Sequence, residues 1–382
     1  MDTRSSLIRL AAIVAAAALV AGCQPDAMAP TGGLPRISAA ALAPVAPGTA
    51  ITLDQQNGTL NEQNVTVLAK GFNPRNPHVG DAIVVTFFWT GSATITAVSD
   101  FITDAAHTPV GNTYRLVESV ALGGVSMATY VATNVQGFPD PNPDPTVVLG
   151  VQATMSQPVV DGGVMISAWS GVDAVTTQPL AGHHSGSGSG SVPTVADPGT
   201  VPAGVGGLAY AVTASASVVG TDPPVGFTNL TNMSDASMKA DGEYAVLPNG
   251  GSTDPRWTWF FSAPGSWLAS VLTLNPAPHL VFTAQPKTTL PLTTIPTVQV
   301  TLTDAAGNVA TGFNGTVTIA IGHNGGLLAP GTLSGTKTVT VVNGVATFSD
   351  LSIDQPGNGY TLVVSAGGVV GAESAAFNIG AF

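Results

Sequence analysis

The sequence predicts an all-β protein, and three observations support that prediction. Apolar and polar residues alternate at period two in short, turn-bounded runs, as in residues 127–133 and 257–262. The 382 residues include 45 Gly and 29 Pro, which favour turns over long helices. Asp outnumbers Glu by 18 to 4, and Asp suits turns whereas Glu suits helices. No stretch longer than a turn or two follows the helical period of about 3.6 residues.

The N-terminal residues 1–22 resemble a secretory signal. Arg4 and Arg9 form a short basic region, and the apolar run over residues 10–22 is too short for a bilayer, which needs about 20 apolar residues. Residues 20–23, Val-Ala-Gly-Cys, resemble the lipobox of bacterial lipoproteins. That resemblance implies cleavage before Cys23, a diacylglycerol on its sulfur and acylation of the new N-terminus. The alternative is an ordinary signal peptide, cut elsewhere, with an incidental cysteine.

The residues after Cys23 predict where a lipidated chain is held. Two or three acyl chains anchor a protein stably, since each buried methylene contributes about 0.8 kcal/mol. Gln24 stands where Asp favours inner-membrane retention in the diderm lipoprotein pattern, so the sequence favours the outer membrane, facing the periplasm or the cell surface. Residues 23–50 are rich in Pro, Ala and Gly and predict a disordered tether.

Composition narrows the classes of partner and chemistry. Only 8% of the residues are charged, and the formal net charge is −12. Ten Lys and Arg cannot form the basic surface that neutralises phosphates, so we expect no nucleic-acid partner. A single cysteine excludes an internal disulfide, and a lipid on Cys23 would consume it. We expect the folded units to depend on packing alone, with no cofactor and no metal.

Residues 51–277 predict one large β-sandwich or jelly-roll-like domain of about a dozen short strands. Asp104, followed by Gly111-Asn112 and Tyr114, resembles the D-x-x-G-N-x-Y turn and strand of a β-sandwich module common in bacterial secreted proteins, here with a lengthened turn. Residues 168–172, Ala-Trp-Ser-Gly-Val, resemble a strand end of that module, and residues 257–272 resemble its final hairpin. The module has no agreed activity, so the resemblance implies a fold rather than a function.

Residues 278–382 predict a smaller, Ig-like β-sandwich after the two-proline boundary at residues 275–278. The order of its strands and turns resembles the bacterial Ig-like repeats of surface proteins, including invasin-type modules. That resemblance implies about seven strands, a spacer or adhesive role, and no catalytic residues. The Asp304-x-x-Gly307-Asn308 sequence predicts a turn that needs left-handed backbone geometry.

Two loops contain residues that could bind a metal or act as nucleophiles. Asp140, Asn142 and Asp144 place oxygen atoms at alternate positions, as a calcium loop does, but Pro145 and Val151 replace the Gly and Glu that such a loop needs. We therefore expect a solvated loop, or a calcium site completed by distant residues. His183 and His184 precede a run of alternating Ser and Gly. Adjacent residues of an extended chain point in opposite directions, so we expect a flexible surface loop there.

Carboxylates and tryptophans of the large domain are the remaining candidates. Glu118 and Glu243 are the best available pair for glycoside hydrolysis, although solvated strand faces are the simpler interpretation. Five tryptophans could form sugar-binding platforms or fill the core; we expect most to be buried, with one or two exposed. They are Trp89, Trp169, Trp257, Trp259 and Trp267.

Three functional hypotheses follow from the sequence. The leading one is a surface-anchored lipoprotein with a non-catalytic adhesive or structural role, whose partners are the membrane and glycans or cell-surface proteins. The second is glycan binding, which requires at least two solvent-facing Trp rings in one groove. The third is a glycan-active hydrolase, which requires two carboxylates about 5–10 Å apart in a cleft.

Overall fold

A computed structural model describes residues 50–60, 62–73, 75–136, 147–176 and 179–380. The predicted signal peptide, Cys23, nearly all of the tether, and Asp140, Asn142 and Asp144 lie outside the described residues. Every regular element in these ranges is a β-strand, which confirms the all-β prediction. Within the same ranges, no helix has the length and apolarity needed to cross a membrane.

The first unit is a sandwich of eight antiparallel strands. A five-stranded sheet has the order β1-β8-β3-β6-β5, and a three-stranded outer sheet has the order β2-β7-β4. The core between the sheets includes Leu68, Phe87 and Val151, all buried completely. The strands are β1 (Thr52–Leu60), β2 (Val67–Gly71), β3 (Ala82–Thr90), β4 (Ile95–Ile102), β5 (Arg115–Leu122), β6 (Val125–Ala132), β7 (Leu149–Met155) and β8 (Asp161–Ser170).

The second unit repeats this topology with ten strands, which are β9 (Leu180–Gly190), β10 (Thr194–Ala196), β11 (Val201–Ala203), β12 (Gly207–Ser215), β13 (Thr221–Asp222), β14 (Thr228–Ser234), β15 (Lys239–Leu247), β16 (Gly251–Thr253), β17 (Trp257–Trp259) and β18 (Gly265–Leu274). Its five-stranded sheet has the order β9-β18-β12-β15-β14, and its outer layer contains β10-β17-β13 and β11-β16. Replacing β1, β3, β5, β6 and β8 of the first unit by β9, β12, β14, β15 and β18 reproduces the order. The predicted large sandwich is therefore two jelly-roll-like sandwiches in tandem.

The two five-stranded sheets pack face to face and form a shared central core. Alternate residues of β3 face opposite sides: Phe87 packs under the outer sheet of the first unit, whereas Phe88 packs towards the second unit. Tyr210 of β12 and Met165 of β8 belong to the same central core as Phe88. Both central sheets are thus covered on two faces, which explains why their middle strands are apolar without a polar side. The tandem units form four β layers.

Contacts between the units occur in pairs with the roles of the units exchanged. The edge strand β5 packs against β9, and the corresponding strands β14 and β1 also pack together. The Asp161 carboxylate at the start of β8 accepts a hydrogen bond from the Ser237 hydroxyl in the β14–β15 turn. At the equivalent place, Ser266 at the start of β18 lies against Gly123 in the β5–β6 turn. This reciprocity is the pattern of an isologous, two-fold interface within one chain.

The C-terminal unit has its own core and a different topology. Its largest sheet contains seven strands in the order β23-β21-β27-β28-β19-β20-β24, with the pairs β22-β25 and β26-β29 beside it. The expectation of about seven strands is therefore too low, since eleven short strands are present. They are β19 (His279–Ala284), β20 (Val298–Thr303), β21 (Thr316–Ile321), β22 (Leu333–Ser334), β23 (Thr338–Thr340), β24 (Val345–Phe348), β25 (Ser352–Ile353), β26 (Gly357–Tyr360), β27 (Leu362–Ala366), β28 (Val369–Glu373) and β29 (Phe377–Ile379).

The segment between the second and C-terminal units is bonded on both sides. The Ala277 amide donates to the Gly171 carbonyl at 2.7 Å, and the Asp173 amide donates to the Asn275 carbonyl at 2.9 Å. On the other side, the Val370 amide donates to the Pro278 carbonyl at 2.9 Å. These bonds join the segment to the end of β8 and to β28, so the predicted boundary is an ordered junction rather than a free linker.

The hydroxyl of Tyr210 provides a test of the central interface. It shares a buried hydrogen bond of 2.9 Å with Thr86 of the first unit. We expect Tyr210→Phe to lower the free energy of unfolding by about 1 kcal/mol, since it removes one buried hydrogen bond. Tyr130→Phe is the control, because that partly buried ring packs edge-on against Phe87 in the other core of the first unit, away from the central interface. Equal losses for both variants in guanidinium denaturation would contradict a specific role for the Thr86–Tyr210 bond.

Candidate functional site

All five tryptophans are buried, so the expectation of one or two exposed rings is wrong. Trp169, Trp257 and Trp259 are 0% exposed, Trp89 is 5% exposed and Trp267 is 9% exposed. Four indole N–H groups donate within the protein, for example Trp89 to the Ala93 carbonyl at 2.8 Å and Trp259 to the Thr213 hydroxyl at 3.1 Å. The glycan-binding hypothesis thereby loses the sugar platforms on which it depended.

The segment that contains His183, His184 and the run of alternating Ser and Gly is a regular strand, so the prediction of a flexible loop is wrong. It forms β9, which pairs with β18 from Gly190↔Gly265 to Leu180↔Leu274 with one irregularity. Composition alone favoured a loop, because Gly weakens an isolated strand. The physical reason for the strand lies in what packs against its two faces.

One face of β9 carries glycines at residues 182, 186, 188 and 190, interrupted by His184, because neighbouring segments pack directly on it. A Cβ atom on Gly186 would lie 2.3 Å from the carbonyl oxygen of Asp197, and one on Gly188 would lie 2.7 Å from the Trp267 ring. Such distances leave no room for a side chain. The alternating Gly and Ser therefore indicate a strand with one flat face, a period-two signal in the sequence.

The opposite face of β9 meets Glu118 on β5 of the first unit. The Glu118 Oε1 lies 2.6 Å from His183 Nδ1, and the Ser185 hydroxyl donates to Glu118 Oε2 at 2.6 Å. His184 points the other way and bonds to the Pro198 carbonyl, as an extended chain requires. Because Ser185 donates to the carboxylate rather than to His183, these residues do not form a nucleophile–base pair. They join the two units at one edge.

A row of charged residues on β15 is buried between the central sheet and the outer layer. Lys239, Asp241 and Glu243 occupy alternate positions, and the last two are 1% exposed. The Lys239 Nζ lies 3.4 Å from an Asp241 oxygen and 6.0 Å from the centre of the Trp259 ring. In a chain with few charges, three charged residues at period two were the sequence signal for this row.

Burial raises the pKa of both carboxyl groups in this row. Desolvation raises the pKa of Glu243 to about 8, and the charge of Asp241 contributes in the same direction, whereas Lys239 and the hydrogen bond from Trp257 oppose it. Desolvation also raises the pKa of Asp241. One Asp241 oxygen is buried without a hydrogen-bond partner. Since this pair is enclosed by protein, it does not form the open cleft that a sugar substrate requires.

Glu118 and Glu243, the carboxylate pair proposed from the sequence, lie in different units: Glu118 is on β5 of the first unit and Glu243 is on β15 of the second. Glu118 bonds across the units to β9, and Glu243 accepts the Trp257 indole N–H at 2.8 Å beneath the outer layer. Each therefore has a structural partner of its own, and the structure does not bring them together as an acid and a base.

The D-x-x-G-N-x-Y resemblance marks a real turn, but a different aspartate organises it. The Asp100 carboxylate accepts hydrogen bonds from the Gly111 amide at 3.0 Å and from the Tyr114 hydroxyl at 3.2 Å, and it also bonds to Asn112. Asp104 instead accepts the amide and hydroxyl of Thr108 within its own turn. The carboxylate that anchors this turn therefore belongs to Asp100, four residues before Asp104.

A cleft of about 300 Å³ lies at the junction with the C-terminal unit. Its walls include Asp173, Pro276, Asp304 and Val309. Both carboxylates already cap backbone amides: Asp173 accepts Thr176 N–H at 2.9 Å, and Asp304 accepts the Asn308 N–H at 2.8 Å. With Gly307 at φ 86°, the second of these is the left-handed turn predicted from the sequence. The cleft is thus shaped mainly by turn structure.

Comparisons with known proteins leave the function open. No family model matches the chain, and no curated protein matches it. Among solved structures, a crystal structure of consecutive titin domains is similar at 12% identity, covering 86% of this chain and 99% of the titin chain, with a TM-score of 0.15. A score this low supports no conclusion about fold or function.

Gly186 provides a test of whether β9 is an ordered strand. We expect Gly186→Ala to destabilise the protein by about 1–3 kcal/mol, because the added methyl meets the backbone of Asp197. Ser187→Ala, on the opposite face, is the control and should change stability by less than about 0.5 kcal/mol. In a flexible loop the Gly186→Ala change would instead raise stability slightly, by restricting the unfolded chain. Chemical denaturation distinguishes the two results.

The raised pKa of Glu243 predicts how stability depends on pH. Below about pH 4.5 the carboxyl is neutral in both states; between there and about pH 8 only the unfolded state ionises. As the pH rises through that window, this group therefore lowers the free energy of unfolding by roughly 1.4 kcal/mol per pH unit. We expect Glu243→Gln to remove this pH dependence. The free energy of unfolding of the variant, relative to that of the unchanged chain, should therefore rise from pH 5 to pH 8.

The measurement is urea denaturation at several pH values, followed by tryptophan fluorescence, which reports on the tandem units because all five Trp lie there. Glu62→Gln, at a half-buried position beside Thr59, is the control. A stability difference between the Glu243→Gln variant and the unchanged chain that does not vary with pH would contradict the prediction.

Proposed function

We propose that this chain is a lipid-anchored protein of the bacterial cell surface with a non-catalytic adhesive or structural role. The observation that carries the proposal is the ordered junction at residues 275–278, which is hydrogen-bonded to Gly171 on one side and to Val370 on the other. Such a junction keeps the C-terminal unit continuous with the tandem sandwiches. A series of β units joined by hydrogen-bonded junctions suits a spacer, or a support that presents binding loops, better than an enzyme with a hinge between domains.

The predicted anchor and tether place these units away from the membrane. Between Cys23 and β1 lie residues 24–51, which span at most about 100 Å when fully extended. The acidic chain, with a formal charge of −12, is repelled by anionic membrane surfaces. The tether and the charge both favour presentation outwards rather than contact with the lipid.

Exposed apolar side chains at loop tips support an adhesive role. Val225, between β13 and β14, is fully exposed, and Leu328, between β21 and β22, is 92% exposed. Leu292 and Leu327 in the C-terminal unit are also exposed. Their loops bond to one segment, since Leu292 N–H donates to the Ile353 carbonyl and Leu327 N–H to the Pro356 carbonyl. Large apolar side chains this exposed are available for contact with other macromolecules.

Expression in a diderm host tests the proposal directly. We expect metabolic labelling with a fatty acid to mark the unchanged chain, and Cys23→Ser to abolish labelling and to release the protein from membranes. Gln24→Asp is the matched variant, which should stay labelled but shift to the inner membrane. Protease shaving of intact cells then reports exposure at the surface. A Cys23→Ser variant that remains bound to membranes as firmly as the unchanged chain would contradict lipid anchoring.

A further inference from the structure

Three side chains with metal-binding atoms converge near the start of β1. They are Asp54 on β1, His78 in the loop before β3, and Asp81 immediately before β3. One potential ligand atom from each lies within 4.8 Å of the other two. In the part of the chain that the structure describes, no other three His, Cys, Asp or Glu side chains meet this condition. Their separation along the chain hid the group from the sequence analysis.

The backbone holds the three residues in place. Asp54 is the extra residue of a bulge between Leu53 and Gln55, and bulges commonly redirect a side chain. The Asp81 amide donates to the His78 carbonyl at 3.2 Å, which closes a tight turn with Gly80 at φ 94°. The donor atoms therefore come from a paired strand and a closed turn, and little ordering is needed to bring them around an ion.

The carboxyl groups are arranged as if around a positive charge. The backbone amide of His78 donates to two carboxylates at once, to Asp54 Oδ2 at 3.2 Å and to Asp81 Oδ2 at 3.0 Å. An oxygen of each carboxyl group lies within 4.8 Å of an oxygen of the other, and Asp81 is only 3% exposed. Carboxylates this close, one of them buried, repel each other unless a proton or a cation lies between them. The His78 Nδ1, 2.9 Å from Asp54 Oδ2, adds a nitrogen ligand to the same place.

We propose that Asp54, His78 and Asp81 bind a divalent transition-metal ion, and that Zn²⁺ fits this donor set best. An imidazole ligand favours zinc and its neighbours over Ca²⁺ and Mg²⁺, which prefer oxygen alone. Three protein ligands with a remaining position open to water are a common zinc arrangement. The His78 side chain is 57% exposed, so an ion and its water can enter from solvent.

The position of this site gives the ion a structural consequence. Asp54 belongs to the first strand after the predicted tether, and His78 and Asp81 belong to the segment that leads into the central strand β3. A bound ion ties the edge strand β1 to that segment. An ion that binds only the folded state stabilises it by RT ln(1 + [ion]/Kd), so the melting temperature rises with the concentration of the free ion.

Calorimetric titration of the full chain, stripped with EDTA, tests the proposal. With ZnCl₂ as the probe, we expect one ion per chain and a raised melting temperature, with far weaker responses to CaCl₂ and MgCl₂. X-ray absorption at the zinc edge should show nitrogen and oxygen ligands only. Outer-shell partners alone change metal affinity by about 10- to 100-fold, so His78→Ala or Asp54→Asn should each weaken zinc binding by at least about 100-fold.

The control is His323→Ala, which removes an exposed histidine of the C-terminal unit that belongs to no such group. It should bind zinc as the unchanged chain does. Melting temperatures in EDTA verify that His78→Ala and Asp54→Asn are folded. The proposal is overturned by an absence of saturable zinc binding, or by binding that persists in both of those variants, which would indicate adventitious surface coordination.

Discussion

The packing of the two five-stranded sheets against each other constrains the rest of the tandem sandwich. Because each sheet also carries an outer layer, its middle strands are buried on both faces, and polar groups there must find partners inside. Thr86 meets this requirement by bonding to both Thr129 and Tyr210. The close approach of the two sheets also requires a residue without a side chain at Gly242, since a Cβ there would lie 2.3 Å from the Met165 sulfur. Few charged residues are compatible with such an interior.

The same constraint moves polar chemistry to the edges of the central layers. At one edge Glu118 joins β5 to His183 and Ser185 of β9, and at a sheet end Asp161 meets Ser237. Each contact links one unit to the other, so residues that resemble catalytic groups by type act as connections. The exception to this placement is the β15 row, where Asp241 pairs with Lys239 and burial raises the pKa of both Asp241 and Glu243.

Local signals in the sequence predicted local structure well. The strands at Val125–Ala132 and Trp257–Trp259 and the left-handed turn at Asp304 depend on residues close in the chain, and the structure confirms them. What the sequence did not reveal depends on distant contacts. The tandem arrangement of two equivalent units is seen in the order of paired strands, and the flat face of β9 exists because Asp197 and Trp267 pack on it. The Asp54–His78–Asp81 group likewise forms only when β1 and β3 are assembled.

The topology also determines how force would pass through a chain held at a membrane. In the proposed orientation, tension from the tether would enter at β1, an edge strand of the first unit, whereas the C-terminal unit follows β18 of the second unit. The shortest path between them runs along β8, because the Gly171 carbonyl that follows β8 accepts a hydrogen bond from the Ala277 amide that follows β18. Strands β1 and β8 pair along nearly their whole length, so many hydrogen bonds share that tension. An ion at Asp54 would reinforce β1 where the tension enters.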